Sequence, residues 1–211
     1  MKPRKPNFNE AQQDWVRNWW RALQPREKGD APLPAELWPM GRGARAQLRR
    51  CAGAEELLTH AAALQLAERL IVLGGGKLPD EAYSYERLAW VAGVLATVKE
   101  DCRDGKSLAL RLGHGAGNGR PKMSELRFKA LQRSPSVPDL FRHWRRAVQL
   151  AEGKADVVQL ADDLLSWQIE LGQSAIRASN GIKFRWACDY YLSARDQAAA
   201  EIPESNKEIS V

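Results

Sequence analysis

Between Val137 and Glu152 the chain repeats apolar residues at a spacing that only a helix gathers onto one side. Leu140, Trp144, Ala147, Val148 and Ala151 share one face, while Arg142, Arg145, Arg146 and Gln149 share the opposite one. Burying the first set therefore presents three guanidiniums to the outside. No acidic residue stands between Leu140 and Ala151 to neutralise them, whereas an ordinary solvated helix face mixes both signs. Pro138 near the first turn suits a helix start, where its missing N–H is no loss.

The same construction recurs between Gly41 and Cys51. Ala44, Leu48 and Cys51 fall on one face, and Arg42, Arg45 and Arg49 on the other, with Arg50 at its margin. Gly41 and Gly43 leave the helix start open, so its N–H groups could add to the attraction for a phosphate. No Gly-x-x-x-x-Gly-Lys-Ser/Thr sequence is present, so this is not a nucleotide-binding loop.

Charge is placed rather than spread. Lys106 to Arg146 holds ten basic and two acidic side chains, a balance of +8, while the whole chain carries +6, so the remaining residues sum to −2. By blocks, residues 1–53 carry +6, 54–104 carry −4, 105–146 carry +8 and 147–211 carry −4. The basic blocks ask for a polyanionic partner such as nucleic acid; the acidic ones read as solvated or protein-facing helices. Beyond the two arginine faces, the candidate phosphate contacts are Arg111, Arg120, Lys122, Arg127 and Lys129.

The rest of the chain reads as helical scaffold. Asn9 can cap a helix bearing Trp15, Val16, Trp19, Trp20 and Leu23 at helical spacing, which makes these tryptophans core residues rather than base-stacking platforms. Four prolines from Pro25 to Pro39 forbid a continuous helix, and Leu37 and Trp38 are expected to pin the end of that loop. Ala54–Leu73 reads as one long helix stopped by three glycines, and Ser84–Lys99 as a second. Short helices are expected at Ser107–Leu112 and Glu125–Gln132. Asp156 can cap a helix with Asp162 and Asp163 on its wet side, Leu171–Asn180 reads as a link, and Ile182–Glu201 as a last helix. The expectation is an all-α chain of two small helical-bundle subdomains, residues 1–112 and 121–201, joined by a glycine-rich linker at 113–120 and followed by a disordered tail at 202–211.

Several chemistries find no vocabulary here. Cys51, Cys102 and Cys188 are odd in number and far apart, which suggests neither a disulfide framework nor a zinc site and fits a reducing cytoplasm. The first nine residues lack the apolar run of a signal peptide, and no apolar stretch is long enough for a membrane span. His60, His114 and His143 are isolated, and no hydrolase, dinucleotide-binding or paired Cys/His motif occurs, so neither a metal nor a cofactor is expected and an enzyme is disfavoured. Arginine faces with few Asn or Gln favour contact with a phosphate backbone over base reading.

A run of motifs then resembles the CasB family, the small subunit of the type I-E CRISPR Cascade complex. In order they are Trp19-Trp20-Arg21-Ala22-Leu23; Gly43 to Arg50; Ser107-Leu108-Ala109 with Leu112-Gly113; Ser124 to Phe128 with Leu131; Asp139 to Ala147; and Asp156 to Trp167, with Asp163-Leu164-Leu165-Ser166-Trp167 at its end. The resemblance covers most of residues 12–195 and rests on order and spacing. It implies an all-helical, non-catalytic subunit of a guide-RNA-containing complex that sits as a pair with a second copy of itself. It implies contacts with the backbone subunits, the large subunit and target DNA, supporting the R-loop at the displaced non-target strand. Carried over by motif, that role falls on Arg45, Arg49 and Arg50, on Arg120 and Lys122, and on Arg142, Arg145 and Arg146. The Pro25–Pro39 loop, the Gly113–Gly119 segment and the Leu171–Asn180 link look longer than the family's core. Two rival readings are a free-standing helical regulator of duplex DNA and a metal-dependent nucleic-acid enzyme using Asp162, Asp163 and Glu170.

Overall fold

The computed structural model describes residues 5–76, 78, 80–113, 120–172 and 177–200, with side chains to residue 192. Most of the expected linker, residues 114–119 with His114, lies outside the described residues, as do Lys77, positions 173–176 of the expected link and the tail from 201 onward.

The architecture is all-helical, as the sequence leads one to expect. Helix α1 (Glu10–Ala22) opens on a reciprocal cap, in which the Gln12 amide donates to the Asn9 side chain and the Asn9 amide to the Gln12 side chain, each at 2.9 Å. Its tryptophans are core: Trp19 is fully buried and donates its indole N–H to the Ala62 carbonyl at 2.8 Å. A 3-10 turn (Ala35–Leu37) follows. Leu37 is buried as expected, but Trp38 is not a pin: it is 62% exposed, its indole N–H satisfied locally by the Leu33 carbonyl.

Helix α2 (Arg42–Arg50) is followed by a break in what the sequence presented as one long helix. Residues 54–73 form α3 (Ala54–Leu57) and α4 (Ala61–Leu73), because Thr59 turns its hydroxyl back to the Glu56 carbonyl and His60 is extended. The break lets Leu57 and the face of Ala63, Leu66 and Leu70 be fully buried in different directions. Helix α5 (Ala82–Leu95) crosses the core, and its Gly93 marks a close approach. A Cβ there would stand 2.9 Å from atoms of both Leu57 and Phe141. Gly93→Ala is expected to lower stability by about 1–3 kcal/mol through overpacking. Urea unfolding would show this as a lower midpoint at constant slope; an unchanged midpoint would mean that Phe141 gives way freely.

The second half runs through α6 (Leu108–Gly113), α7 (Glu125–Gln132), α8 (Val137–Leu150), α9 (Val157–Leu171), a 3-10 turn (Ala178–Asn180) and α10 (Ile182–Ala200). Two-residue strands β1 (Glu100–Asp101) and β2 (Lys154–Ala155) pair in parallel, too short to count as a sheet layer. One cluster of buried apolar side chains runs from Phe8 to Tyr190. At its centre α9 packs against α1, α5 and α10.

Helix α9 also corrects an expectation. Asp162 and Asp163 are not on a wet side; they are 6% and 1% exposed. Asp162 accepts hydrogen bonds from the backbone amides of Asn7 (2.5 Å) and Phe8 (3.3 Å). Asp163 accepts from the Trp186 indole (2.8 Å) and the Gln159 amide (2.9 Å). The N-terminal segment and α10 cover the side that the acids were expected to keep in water, and hydrogen bonds replace the lost hydration. The helix start follows the sequence reading: Asp156 accepts from Val158 and Gln159, and Asp101 from Val157.

Candidate nucleic-acid interface

The arginine face of α8 meets the C-terminal end of α2. Helix α8 buries Leu140, Trp144, Ala147 and Val148, and α2 buries Leu48, which leaves Arg142, Arg145 and Arg146 of α8 and Arg49 and Arg50 of α2 lining the space between them. That space is a cleft of about 790 Å³ whose cations are Arg49, Arg50, Lys99, Arg142, Arg145 and Arg146. Its one carboxylate is Glu152.

The six cations differ in what they already hold. Arg145 is half-buried and forks onto the Cys51 carbonyl at 2.9 Å and onto the Arg49 carbonyl, so it ties α8 to the end of α2. Its guanidinium also lies 5.1 Å from the Phe141 ring centroid. Arg45 does the same between α2 and α5, donating to the Ala96 (3.0 Å) and Val98 (2.8 Å) carbonyls at the C-terminal end of α5. Burial, and then the neighbouring Arg49 charge, push the pKa of both Arg45 and Arg145 downward. Arg49 is thus close enough for its charge to be felt by both, one from its own helix and one from across the cleft. Arg142 pairs with Asp139 on its own helix and stays 75% exposed; among the described residues the Arg146 guanidinium bonds the Gln149 side chain, at 3.2 Å. Arg49 and Arg50 are exposed.

Arg45 and Arg145 were expected to face outward as phosphate contacts, and the structure gives them the role of struts. Helix geometry set their direction, but a long guanidinium can bend back to a carbonyl that a wheel does not include. Replacing Arg145 with Gln is expected to cost about 1.5–3 kcal/mol, the worth of charged hydrogen bonds whose acceptors are left behind. At this chain length that lowers Tm by about 2–4 °C per kcal/mol, and Lys should not restore it, because an ammonium cannot fork to two carbonyls. A wild-type Tm for R145K would show that a point charge suffices.

The other expected contacts lie elsewhere. Arg42 is exposed beside the cleft without lining it. Lys122 reaches the rim by its 2.8 Å pair with Glu152, a bond that, with the attraction of the two charges, holds the Glu152 carboxyl below its usual range. Arg111 is taken by Asp104 at 2.6 Å, and Lys129 by Glu125 at 2.6 Å one turn away on α7. Arg127 is exposed on α7, and Arg120 is exposed where the described chain resumes; neither lines the cleft.

Lys99 escaped the sequence reading, because it stands in a block, residues 54–104, whose net charge is −4. The residues of the metal-enzyme reading do not converge either: Asp162 and Asp163 face different elements, and Glu170 accepts from the Ile182 amide at 2.9 Å. Among the described residues no group of three His, Cys, Asp or Glu stands in position to hold a metal ion. Nor is any described helix long and apolar enough to cross a membrane.

Comparison with known proteins agrees with the resemblance seen in the motifs. The family model described as CRISPR-associated protein Cse2 matches residues 44–191. The crystal structure of CasB from Thermus thermophilus superimposes with a TM-score of 0.54 at 26% identity, covering 89% of this chain and 99% of that one. No curated protein matches the sequence. With a helical fold of matching extent and a family match over most of its length, the chain belongs to the Cse2/CasB family of CRISPR-associated proteins, the small-subunit family of Cascade.

Proposed function

We propose that this chain is the non-catalytic small subunit of a type I-E Cascade complex, that it holds nucleic acid by its phosphate backbone without reading sequence, and that it stabilises the R-loop by retaining the displaced non-target strand. The observation that carries this reading is the cleft between α2 and α8, where six cations face one carboxylate and one of them, Arg145, is held in place by main-chain carbonyls. Like charges crowded at fixed positions repel one another, and a polyanion relieves that repulsion while releasing its own counterions. Exchanging a DNA duplex for a guide–target heteroduplex is close to balanced, so retaining the displaced strand shifts it toward the open state. The expected setting is the cytoplasm, with backbone subunits, a large subunit, guide RNA and a second copy as partners. The regulator reading would need side-chain amides beside the guanidiniums to distinguish base edges, and the one amide lining the cleft, Gln149, is engaged by Arg146.

Titration of the full-length chain with unrelated single strands tests the reading. Affinities should agree across sequences and fall by about 10²- to 10³-fold between 50 and 200 mM salt if roughly six phosphates are neutralised. A strong preference for one duplex sequence that persists at high salt would replace this reading with the regulator.

A further inference from the structure

Lys99 lines two clefts. Besides the one between α2 and α8, it closes a second of about 310 Å³ formed by the end of α1 and the proline-rich segment after it, where Arg21 and Arg26 also stand. We propose that the two clefts form one continuous path for a single-stranded nucleic acid backbone, with Lys99 as the contact at which the strand passes from the first to the second. This rests on the reading of the first cleft given above.

Three observations support it. First, Lys99 is fixed in place. Its amide donates to the Gly153 carbonyl at 2.8 Å, and its methylenes lie against Gly153, where a Cβ would come 2.7 Å from Lys99 Cγ. Gly153 has φ +83°, so this position demands glycine both for its backbone and for the lysine that crosses it. A lysine so held loses less freedom on meeting a phosphate than an ordinary surface lysine does.

Second, Lys99 is exposed and its ammonium has no ion-pair partner among the described residues. Third, the second cleft is short of negative charge. Arg21 donates to the Ala31 carbonyl (2.6 Å) and the Asn18 side chain (3.1 Å), and Arg26 to the Trp38 (3.1 Å) and Met40 (3.2 Å) carbonyls. These acceptors orient both guanidiniums without cancelling their charge. The single carboxylate there, Asp30, accepts from the Glu27 amide at 2.8 Å. Trp20 also lines this cleft, but it is 7% exposed and its indole N–H is spent on the Val98 carbonyl, so the wall offers charge rather than a stacking face.

The test uses the full-length chain with oligodeoxythymidines of increasing length at several salt concentrations, comparing wild type with K99A, K99R and the double variant R142E/R146E. Expected results are an affinity that keeps rising with length beyond the point where K99A levels off, and a K99A salt slope shallower by about 0.7. K99R, which keeps the charge, should behave as wild type. If K99A, at unchanged Tm, binds every length with wild-type affinity and slope while R142E/R146E weakens binding, the continuous path is overturned and the first cleft stands. A wild-type chain that binds none of the oligonucleotides overturns both.

Discussion

Reversing the charge of Arg49, Arg142 and Arg146 together should lower affinity for single-stranded DNA on the order of 10²-fold at 50 mM salt and flatten the salt dependence by about 2 in logarithmic slope. All three are exposed on the cleft, and among the described residues none of their guanidiniums makes a long-range contact: Arg142 pairs with Asp139 on its own helix, Arg146 with Gln149, and the bond that Arg49 accepts from Arg145 is to its main-chain carbonyl, which substitution leaves in place. The Tm should therefore hold, since exposed ion pairs contribute little. Loss of affinity at constant Tm separates this variant from R145Q, which removes a strut. Wild-type affinity at low salt after triple reversal would remove the cleft from consideration as a polyanion site.

The second large effect is on stability and runs opposite to the usual behaviour of carboxylates. Burial is the first cause that pushes Asp163 up to about 7, outweighing its hydrogen bonds from Trp186 and Gln159, with the Asp162 charge adding to the rise and Arg185 opposing it. A folded pKa above the unfolded value near 3.8 means that the folded state binds the proton more tightly. Stability from this group is thus fully present below about pH 4 and is lost as pH rises through about 7, by up to about 4 kcal/mol. The depressed carboxylates Asp104, Glu125, Asp139 and Glu152 act in the other direction, but only below about pH 5. Denaturant midpoints should accordingly fall between pH 5 and pH 8 in the wild type and stay nearly level in D163N, whose side chain is neutral throughout. Equal slopes in the two proteins would mean that Asp163 is ionised in the fold at both pH values.

What could be read in advance follows from which rules are local. The cap at Asn9, the span of α7, the start of α8 and the burial of Trp144 against Arg142 all depend on residues within a turn or two, and these agree with the structure. Asp163 depended on Trp186, which lies 23 residues away on a different helix, and Asp162 on the amides of Asn7 and Phe8. No periodicity contains such pairs. The cleft was legible as two basic faces, but not its division of labour. Which guanidiniums stay open and which close onto carbonyls is decided by what lies opposite, and Lys99 enters only through the turn at Gly153.

Arg45 and Arg145 also determine which positions of this chain can tolerate substitution. Each strut ends on main-chain oxygens, those of Ala96 and Val98 in one case and of Arg49 and Cys51 in the other. Every amino acid supplies that oxygen. Side chains at 96, 98 and 51 can therefore drift under the demands of the core without altering the separation of α2 from its neighbours. The shape of the basic cleft is insulated from substitution at its own anchor points, and the mutational burden concentrates on the two arginines alone.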